Sequence, residues 1–173
     1  MSAPAEIAVA DSVTATDLAE LAEVLVVCVA GGASVSFMPP FEHKDGKAFF
    51  RKIAGEVARG EAALLVARLD GRIVGTVQLG LATPPNQPHR ADIRKLLVHR
   101  SARGRGIGMA LMTAAEEAAR ARGRTLLVLD TALGDNAERL YTRAGWTRVG
   151  VIPGYALFPD GRPCDTVYFW KQI

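Results

Sequence analysis

The stretch ADIRKLLVHRSARGRGIG, residues 91–108, decides the fold, because an apolar strand-like run leads through a glycine-rich turn into a helix. The periodicity predicts that this helix covers about 107–122. The apolar residues on its buried side are expected to be Ala110, Leu111, Ala114 and Ala118. A short apolar run at 126–129 follows, typical of a strand covered on both faces. The unit 91–129 therefore predicts a strand–helix–strand crossover, which makes its two strands parallel.

The other elements are assigned outward from this unit by hydrophobic period and by capping residues. They are helices at 14–30 and 45–59, strands at 62–69 and 72–81, a helix at 136–144, and strands at 146–151 and 165–171. Asp70-Gly71 predicts a tight hairpin turn. Asp45 is expected to cap the second helix, and Asp135 with Glu138 has the capping-box pattern. The predicted fold class is α/β (α+β), with a mixed, mostly antiparallel sheet, one parallel strand pair and about four helices.

Composition limits the classes of protein that fit. The chain has 173 residues, of which 49% are hydrophobic and 23% charged, with a formal net charge of +3, as for one globular domain over 1–173. The apolar run Val24 to Ala33 is about half of a membrane span, and the N-terminus lacks the basic region of a secretory signal. Cys28 and Cys164 are too few for a disulfide scaffold, which favours the cytoplasm. The three histidines show no metal-ligand spacing, so no metal is expected.

The glycine-rich turn carries the chemistry. Gly104, Gly106 and Gly108 allow backbone amides to approach a ligand at a helix N-terminus, an arrangement that suits a pyrophosphate. The neighbouring arginines add positive charge. The turn is neither a Walker A loop nor the dinucleotide fingerprint, which would need glycine at Met109. The alternative is a basic surface turn that only caps the helix.

Two motifs together resemble the GNAT N-acetyltransferase superfamily. Arg-x-x-Gly-x-Gly at 103–108 is similar to its acetyl-CoA pyrophosphate loop, and the element from Asn136 through Tyr141 to Gly145-Trp146 is similar to its second motif. The resemblance implies an acetyl-CoA-dependent N-acetyltransferase. The residues implied for acetyl-CoA binding are Leu96, Leu97, Val98, Arg103, Gly104, Arg105, Gly106, Ile107, Gly108 and Asn136. The backbone of 96–98 is expected to pair with pantetheine as an added strand and to polarise the thioester carbonyl.

A closer resemblance is to the tabtoxin-resistance branch of this superfamily. It rests on GGASVSFM at 31–38, the run 90–108, and GYALFPDGR at 154–162. Members of that branch acetylate a β-lactam-containing amino-acid toxin. The resemblance makes the segment 31–41 and the Gly154-Tyr155 turn candidate walls of the acceptor site.

Acetyl transfer to an amine needs a base for the amine's proton and an acid for the departing thiolate. Asp92 is the only acid between Arg90 and Arg105, and its position is similar to that of the family's base. The alternative is a salt bridge to a neighbouring cation. Asp130 follows the run 126–129, where the branch has a second carboxylate; the alternative is a turn or helix cap. Tyr141 is the candidate acid, and the alternative is a half-buried aromatic.

These residues predict direct acetyl transfer to the primary amine of a small, amino-acid-like molecule, with a toxin or an antibiotic as one possibility. The alternatives are a non-catalytic acyl-CoA-binding module and an acetylase of a protein or peptide amine. His89 is expected to be an exposed histidine, and Cys164 an ordinary thiol. No aromatics interrupt the basic stretch 90–105, so nucleic acid is not an expected partner; neither is a membrane. The chain is expected to be a monomer or a homodimer.

Overall fold

The computed structural model describes residues 4–173. It contains seven strands, four α-helices and one 3-10 turn. They are β1 (Glu6–Val9), α1 (Ala15–Ala30), α2 (His43–Ala58), β2 (Ala62–Leu69), β3 (Arg72–Gly80), β4 (Arg90–Val98), a 3-10 turn (Arg100–Ala102), α3 (Ile107–Arg120), β5 (Leu126–Ala132), α4 (Asn136–Arg143), β6 (Thr147–Leu157) and β7 (Pro163–Gln172).

One seven-stranded sheet organises these elements, in the order β1-β2-β3-β4-β5-β7-β6. β4 and β5 are parallel, and every other neighbouring pair is antiparallel. The single parallel pair arises because α3 carries the chain back across the sheet before β5 begins. The predicted fold class, with its four helices and one crossover, is confirmed.

Helices cover the two faces of the sheet unequally. On one face, α3 and α4 pack over side chains from β2 to β5 and from β7. On the other face, α1 and α2 pack over β2, β3 and β4. Within residues 4–173, β5, β6 and β7 contribute no side chain to this second core, and Tyr155 on β6 is 52% exposed. The α1/α2 face is therefore open over its β5–β7–β6 half.

Local signals explain several of the element boundaries. Asp70 and Gly71 form the β2–β3 turn with φ of 50° and 79°, the left-handed geometry of a tight hairpin. Thr14 caps α1 in a capping box with Asp17, where the hydroxyl accepts from Asp17 N at 3.1 Å and the carboxylate accepts from Thr14 N at 2.9 Å. The hairpin prediction and the start of α1 are confirmed.

One predicted cap and one predicted capping box are wrong. α2 begins at His43 behind Glu42, and Asp45 lies inside the helix, where its carboxylate accepts from the Glu42 backbone at 2.9 Å. At α4, Asp135 does cap the helix, but Glu138 accepts from the Gly134 N–H at 2.9 Å. The predicted capping box is absent there, because the Glu138 carboxylate reaches past the cap residue to the preceding loop.

The predicted burial and strand limits also need correction. Ala110 is exposed on α3, and the helix buries Met112, Ala115 and Ala119 that the sequence analysis did not select. β5 runs on to Ala132, with burial that alternates along the strand, so only one of its faces is fully covered. The short strand β1 was not predicted.

The C-terminal hairpin is longer than predicted. β6 extends to Leu157, so Gly154 and Tyr155 lie inside a strand and not in a turn. A register irregularity between Ile152 and Ala156 interrupts its pairing with β7, and this irregularity hides the strand's regular alternation.

Candidate active site

The parallel pair β4–β5 opens into a split. Its paired residues are Arg90↔Leu126, Ala91↔Leu127 and Asp92↔Val128, and no pairing follows. β4 continues to Val98 and β5 to Ala132, so the facing edges of the two strands diverge toward their carboxyl ends. Ligands of α/β proteins bind outside those ends, and an unpaired strand edge can accept an extended ligand by backbone hydrogen bonding. The backbone of 96–98 lies along this edge, and its pairing with pantetheine stays a prediction.

The glycine-rich turn lies immediately beyond β4. Gly104 and Gly106 have φ of 75° and 76°, and no atom lies within 4 Å of a Cβ built on either residue. Gly106 is also the N-cap of α3, with no side chain bonded to the first amides of the helix. A helix start without a side-chain cap presents N–H groups to an anion. Left-handed backbone and open space therefore make this turn accessible to a phosphate group.

Gly108 differs from the other two glycines in its surroundings. A Cβ there would lie 2.9 Å from Leu140 Cδ1 on α4. A side chain at this position would therefore displace the end of the Leu140 side chain. The expectation that Gly108 serves ligand approach stays a prediction.

Arg103 fastens the turn to the end of β4. Its Nε donates to the Val98 carbonyl at 3.1 Å, and its Nη2 lies 3.8 Å from Cys28 Sγ on α1. Burial raises the pKa of the Cys28 thiol, against the effect of Arg103, so this cysteine stays protonated near neutral pH. Arg105 precedes Gly106 and is exposed, whereas Ile107 follows it as the first residue of α3 and is buried.

Asp92 is the last residue of β4 that pairs with β5. Its carboxylate forms an ion pair with Arg90, whose Nε also donates to Gln87 Oε1 at 2.7 Å. The salt bridge considered as the alternative is present, and the Asp92 side chain is still 41% exposed. The Asp92 carboxylate is therefore accessible to solvent, and Arg90 partly balances its negative charge.

Asp130 lies in the interior of β5 and is exposed. It follows Val128 by two positions, and Val128 pairs with Asp92, so the two aspartates share the open α1/α2 face. Thr166 on β7 hydrogen-bonds through Oγ1 to Asp130 Oδ2 at 3.1 Å. Because Asp130 lies in a strand, the predicted alternatives of a turn or a helix cap are wrong.

Two tyrosines lie beside Asp130, and the sequence analysis selected only Tyr155, as part of a candidate acceptor wall. Tyr168 pairs with Asp130 across the β5–β7 ladder and donates its hydroxyl to that of Tyr155 at 2.9 Å. The hydrogen bond with Tyr155, burial and the charges of Asp130 and Asp92 raise the pKa of Tyr168 to about 12. Both hydroxyls thus remain hydrogen-bond donors or acceptors on the open face. Only the strand register, which the sequence analysis left unassigned, would have revealed this pair.

Tyr141 lies on α4 and is 5% exposed. Its ring centroid is 6.1 Å from that of Trp146 and 5.8 Å from that of Phe169. Burial, with the negative charges of Asp135 and Asp130, raises its pKa above that of an ordinary tyrosine. The side chain is more buried than the half-buried alternative, and it holds its proton at neutral pH. Asn136, at the start of the same helix, is exposed.

The loop between α1 and α2 lies beside the open face and contacts β6 and β4. Ser34 Oγ donates to the Leu157 carbonyl of β6 at 2.9 Å, and Lys95 Nζ of β4 donates to Ser36 Oγ at 2.8 Å. The segment 31–41 therefore lies beside the split, where the resemblance placed an acceptor wall. The sequence analysis did not select Lys95, which follows Arg94 directly in a strand with several charged residues.

Other candidates lie away from this site. His89 is exposed, and its carbonyl accepts from Thr125 and Leu126. Cys164 is buried, and its thiol contacts the Asp165 carbonyl at 3.5 Å. Across residues 4–173, no group of three or more His, Cys, Asp or Glu side chains is placed to hold a metal ion. In the same part of the chain, every helix is too short or too polar to cross a bilayer.

Residues 33–146 match the acetyltransferase (GNAT) family. The chain belongs to this family. It is 34% identical to the aminoglycoside N(6')-acetyltransferase type 1 of Klebsiella aerogenes over 115 residues, which are 64% of this chain and 74% of the relative. Membership makes the chain an acetyl-CoA-dependent acetyltransferase.

Solved structures share the fold across nearly the whole chain. The ribosomal-protein-alanine N-acetyltransferase of Brucella melitensis superposes with a TM-score of 0.82 at 24% identity, covering 97% of this chain and 99% of that one. A phosphinothricin acetyltransferase of Sinorhizobium meliloti, solved in complex with acetyl-CoA, superposes with a TM-score of 0.80 at 20% identity, covering 99% and 89%. At these identities the likeness concerns the fold.

Proposed function

We propose that this acetyltransferase transfers the acetyl group of acetyl-CoA directly to the primary amine of a small, amino-acid-like molecule. The observation that carries the proposal is the β4–β5 split, with an anion-accepting turn at one side and two carboxylates on the open sheet face at the other. The thioester then lies between a diphosphate site and a site for a cationic amine.

The proposed coenzyme site follows the family's arrangement. The turn from Arg103 to Gly108 holds the diphosphate through its backbone amides, and Ile107 begins the helix behind it. The edge of Leu96, Leu97 and Val98 pairs with the pantetheine arm, and one of its N–H groups polarises the thioester carbonyl. Asn136 contacts the same arm at the start of α4.

The proposed chemistry begins with the amine's proton. An alkylammonium with a pKa near 10 is neutral in only about one molecule in a thousand at pH 7. Asp130 takes this proton, because its carboxylate is exposed and, among residues 4–173, is hydrogen-bonded only to the Thr166 hydroxyl. Asp92, paired with Arg90, adds a second negative charge that attracts the ammonium group. The neutral nitrogen then attacks the thioester carbon, and the C–S bond breaks.

Tyr141 is the proposed acid for the departing thiolate. A tyrosine whose pKa is raised by burial keeps its proton until a strong base is formed beside it. The proton passes from the phenol to the CoA sulfur as the tetrahedral intermediate collapses. The proton that Asp130 takes from the ammonium group is released to solvent, and the second proton, which the nitrogen loses as the amide forms, returns to the Tyr141 phenolate. The products are therefore the N-acetyl amine, free CoA thiol and one proton.

A role in toxin or antibiotic resistance is part of the proposal. It is supported by the resemblance to the tabtoxin-resistance branch and by the name of the Klebsiella relative, an aminoglycoside acetyltransferase. A single catalytic domain over 1–173, a cytoplasmic location and a monomeric or homodimeric state remain predictions.

The test is CoA-thiol release with purified protein across amine classes. The panel contains amino acids, dipeptides, aminoglycosides, polyamines and β-lactam amino acids. We expect turnover of a free small amine, and less than a tenth of that rate with the dipeptides of the panel. Preferred turnover of peptides would make the chain a peptide acetylase, and acetyl-CoA binding without turnover of any amine would reduce it to a binding module.

A further inference from the structure

Lys95 is a half-buried cation without an ionic partner. Among residues 4–173, no carboxylate lies within salt-bridge distance of its Nζ, whereas the neighbouring cations on β4 are paired, Arg90 with Asp92 and Arg94 with Glu56. Its Nζ donates to one neutral group, Ser36 Oγ. Burial lowers the pKa of Lys95, while the nearby charge of Asp130 acts in the opposite direction. An incompletely paired charge of this kind is costly to keep in a fold.

The backbone is distorted at this position. The pairing of β3 with β4 passes from Thr76↔Leu97 to Gln78↔Arg94, so two residues of β4 face one of β3 in a bulge. Lys95 takes φ of +52° there, although it is not glycine. Bulges redirect side chains and are frequent beside active sites, and a non-glycine residue at positive φ is strained.

The residue that receives the Lys95 hydrogen bond is strained as well. Ser36 has φ of +77°. In the described part of the chain, three non-glycine residues have positive φ: Asp70 in the hairpin turn, Ser36 and Lys95. The last two are hydrogen-bonded to each other. Strain on both sides of one contact indicates that the ammonium group is held in place for a purpose other than stability.

The ammonium group lies next to the proposed amine site. Nζ is 5.9 Å from the centre of the Phe37 ring, beneath the loop 31–41. Lys95 follows Asp92 by three positions on one edge of the split, and Asp130 lies two positions beyond the last paired residue, Val128, on the other edge. A cation and an exposed anion thus face the same space from the two diverging strands.

We propose that Lys95 determines acceptor specificity by binding an anionic group of the acceptor, a carboxylate in the first instance. This inference rests on the proposed function and narrows its substrate class to amines that also carry a negative charge. The acceptor's ammonium group lies at Asp130 and its carboxylate at Lys95, through a charge-assisted N–H···O hydrogen bond. Polycationic amines such as aminoglycosides supply no anion for this lysine.

The experiment compares amines that differ only in a carboxylate. The pairs are phenylalanine and phenethylamine, histidine and histamine, and lysine and cadaverine, each assayed by thiol release. Wild-type kcat/KM is expected to be at least tenfold higher for the carboxylate-bearing member of the accepted pairs. K95M should lower kcat/KM for the carboxylate-bearing amine at least tenfold, through a higher acceptor KM. It should change kcat/KM for the decarboxylated amine, and the KM for acetyl-CoA, less than twofold.

S36A is the matched control, since it removes the Lys95–Ser36 hydrogen bond and keeps the charge. It should retain the carboxylate preference. If S36A loses the preference as K95M does, or if K95M lowers both members of a pair equally, Lys95 only supports the loop and the inference is wrong. Aminoglycosides turned over faster than every amino acid would also overturn it.

A binding measurement separates this inference from the proposed function. The chain has five lysines (44, 47, 52, 95 and 171), so the Lys95 Cε–Hε NMR signal of protein labelled with carbon-13 lysine is assigned by its loss in K95M. With CoA present, an amino acid should shift this signal and its decarboxylated partner should not. If the amino acid alone shifts the signal but no amine is turned over, the proposed function is wrong and the Lys95 inference stands. No shift with any amino acid contradicts the Lys95 inference, whether or not amines are acetylated.

Discussion

The two sides of the split are formed from different kinds of structure. We define the cofactor side as residues 99–108 with α3, and the acceptor side as the loop 31–41 with the β6–β7 hairpin. The cofactor side is continuous in sequence and presents mainly backbone, namely two left-handed glycines and the uncapped start of a helix. The acceptor side joins segments far apart in sequence, and the contacts across it are made largely by side chains, such as Ser34 with Leu157.

This difference suggests how the enzyme divides its chemistry. In the proposed site, the coenzyme common to the whole family is held by backbone groups, whose positions depend on glycines and on a helix start and tolerate changes in other side chains. The acceptor meets side chains that can change without altering the fold. Variants on the cofactor side should therefore change the affinity for acetyl-CoA, and variants on the acceptor side should change the kinetic constants for the amine.

The largest effect is expected from the two aspartates, which share the acceptor face but differ in their partners. Asp130 is hydrogen-bonded to a hydroxyl, whereas the charge of Asp92 is partly balanced by Arg90. D130N should lower kcat/KM for the amine on the order of 100-fold or more, the usual contribution of a general base. D92N should lower it less than tenfold. Steady-state thiol release measures both, and a larger loss in D92N would transfer the role of base to Asp92.

Tyr141 should give the next largest effect. Y141F removes the proposed proton donor while the ring keeps its contacts with Trp146 and Phe169, so we expect kcat to fall about 30-fold with an unchanged KM for acetyl-CoA. Because the pKa of Tyr141 is raised above its ordinary value near 10, its ionisation should not reduce wild-type kcat below pH 9.5. Equal losses in kcat and in acetyl-CoA affinity would instead make Tyr141 a binding residue.

The cofactor side is tested by a pair of glycines with the same geometry. Gly106 and Gly123 have φ of 76° and 70°, and neither has an atom within 4 Å of a built Cβ. Alanine at either position should cost about 1–2 kcal/mol of unfolding free energy because of the left-handed backbone. Only G106A should also weaken acetyl-CoA binding, by about tenfold in a calorimetric titration. Equal affinities in the two variants would show that the turn does not contact the coenzyme.

The cofactor side was predictable because its signals are local. Glycines between a strand and a helix predict an anion-binding turn without any knowledge of distant contacts, and the parallel pair follows from the crossover helix. The exception is Gly108, whose close neighbour Leu140 lies on another helix. The same locality explains the correct hairpin at Asp70-Gly71.

The acceptor side was predicted only in outline. Its strand β6 contains Pro153 and Gly154 and an irregular register, which conceal the alternation expected of a strand. The bulge at Lys95 redirects a side chain in a way that simple alternation does not encode. Asp92 and Asp130 came from the resemblance to the family. Their different partners depend on rotamers and on the register between β5 and β7, which only the assembled sheet determines.

The smallest effect is expected from the hydrogen bond that joins the acceptor side together. Ser34 Oγ donates to Leu157 O, 123 positions away in sequence, at 2.9 Å on the exposed surface. S34A removes one such bond, worth about 1 kcal/mol, so the loop 31–41 should be less well positioned and the acceptor KM should rise about threefold. The KM for acetyl-CoA should not change. Thr83 is the matched control, because its hydroxyl donates to Gln87 O at 2.7 Å within one local turn of the loop before β4. T83A should leave both KM values within error, and an equal rise in acceptor KM for the two variants would show that the Ser34 contact does not position the acceptor.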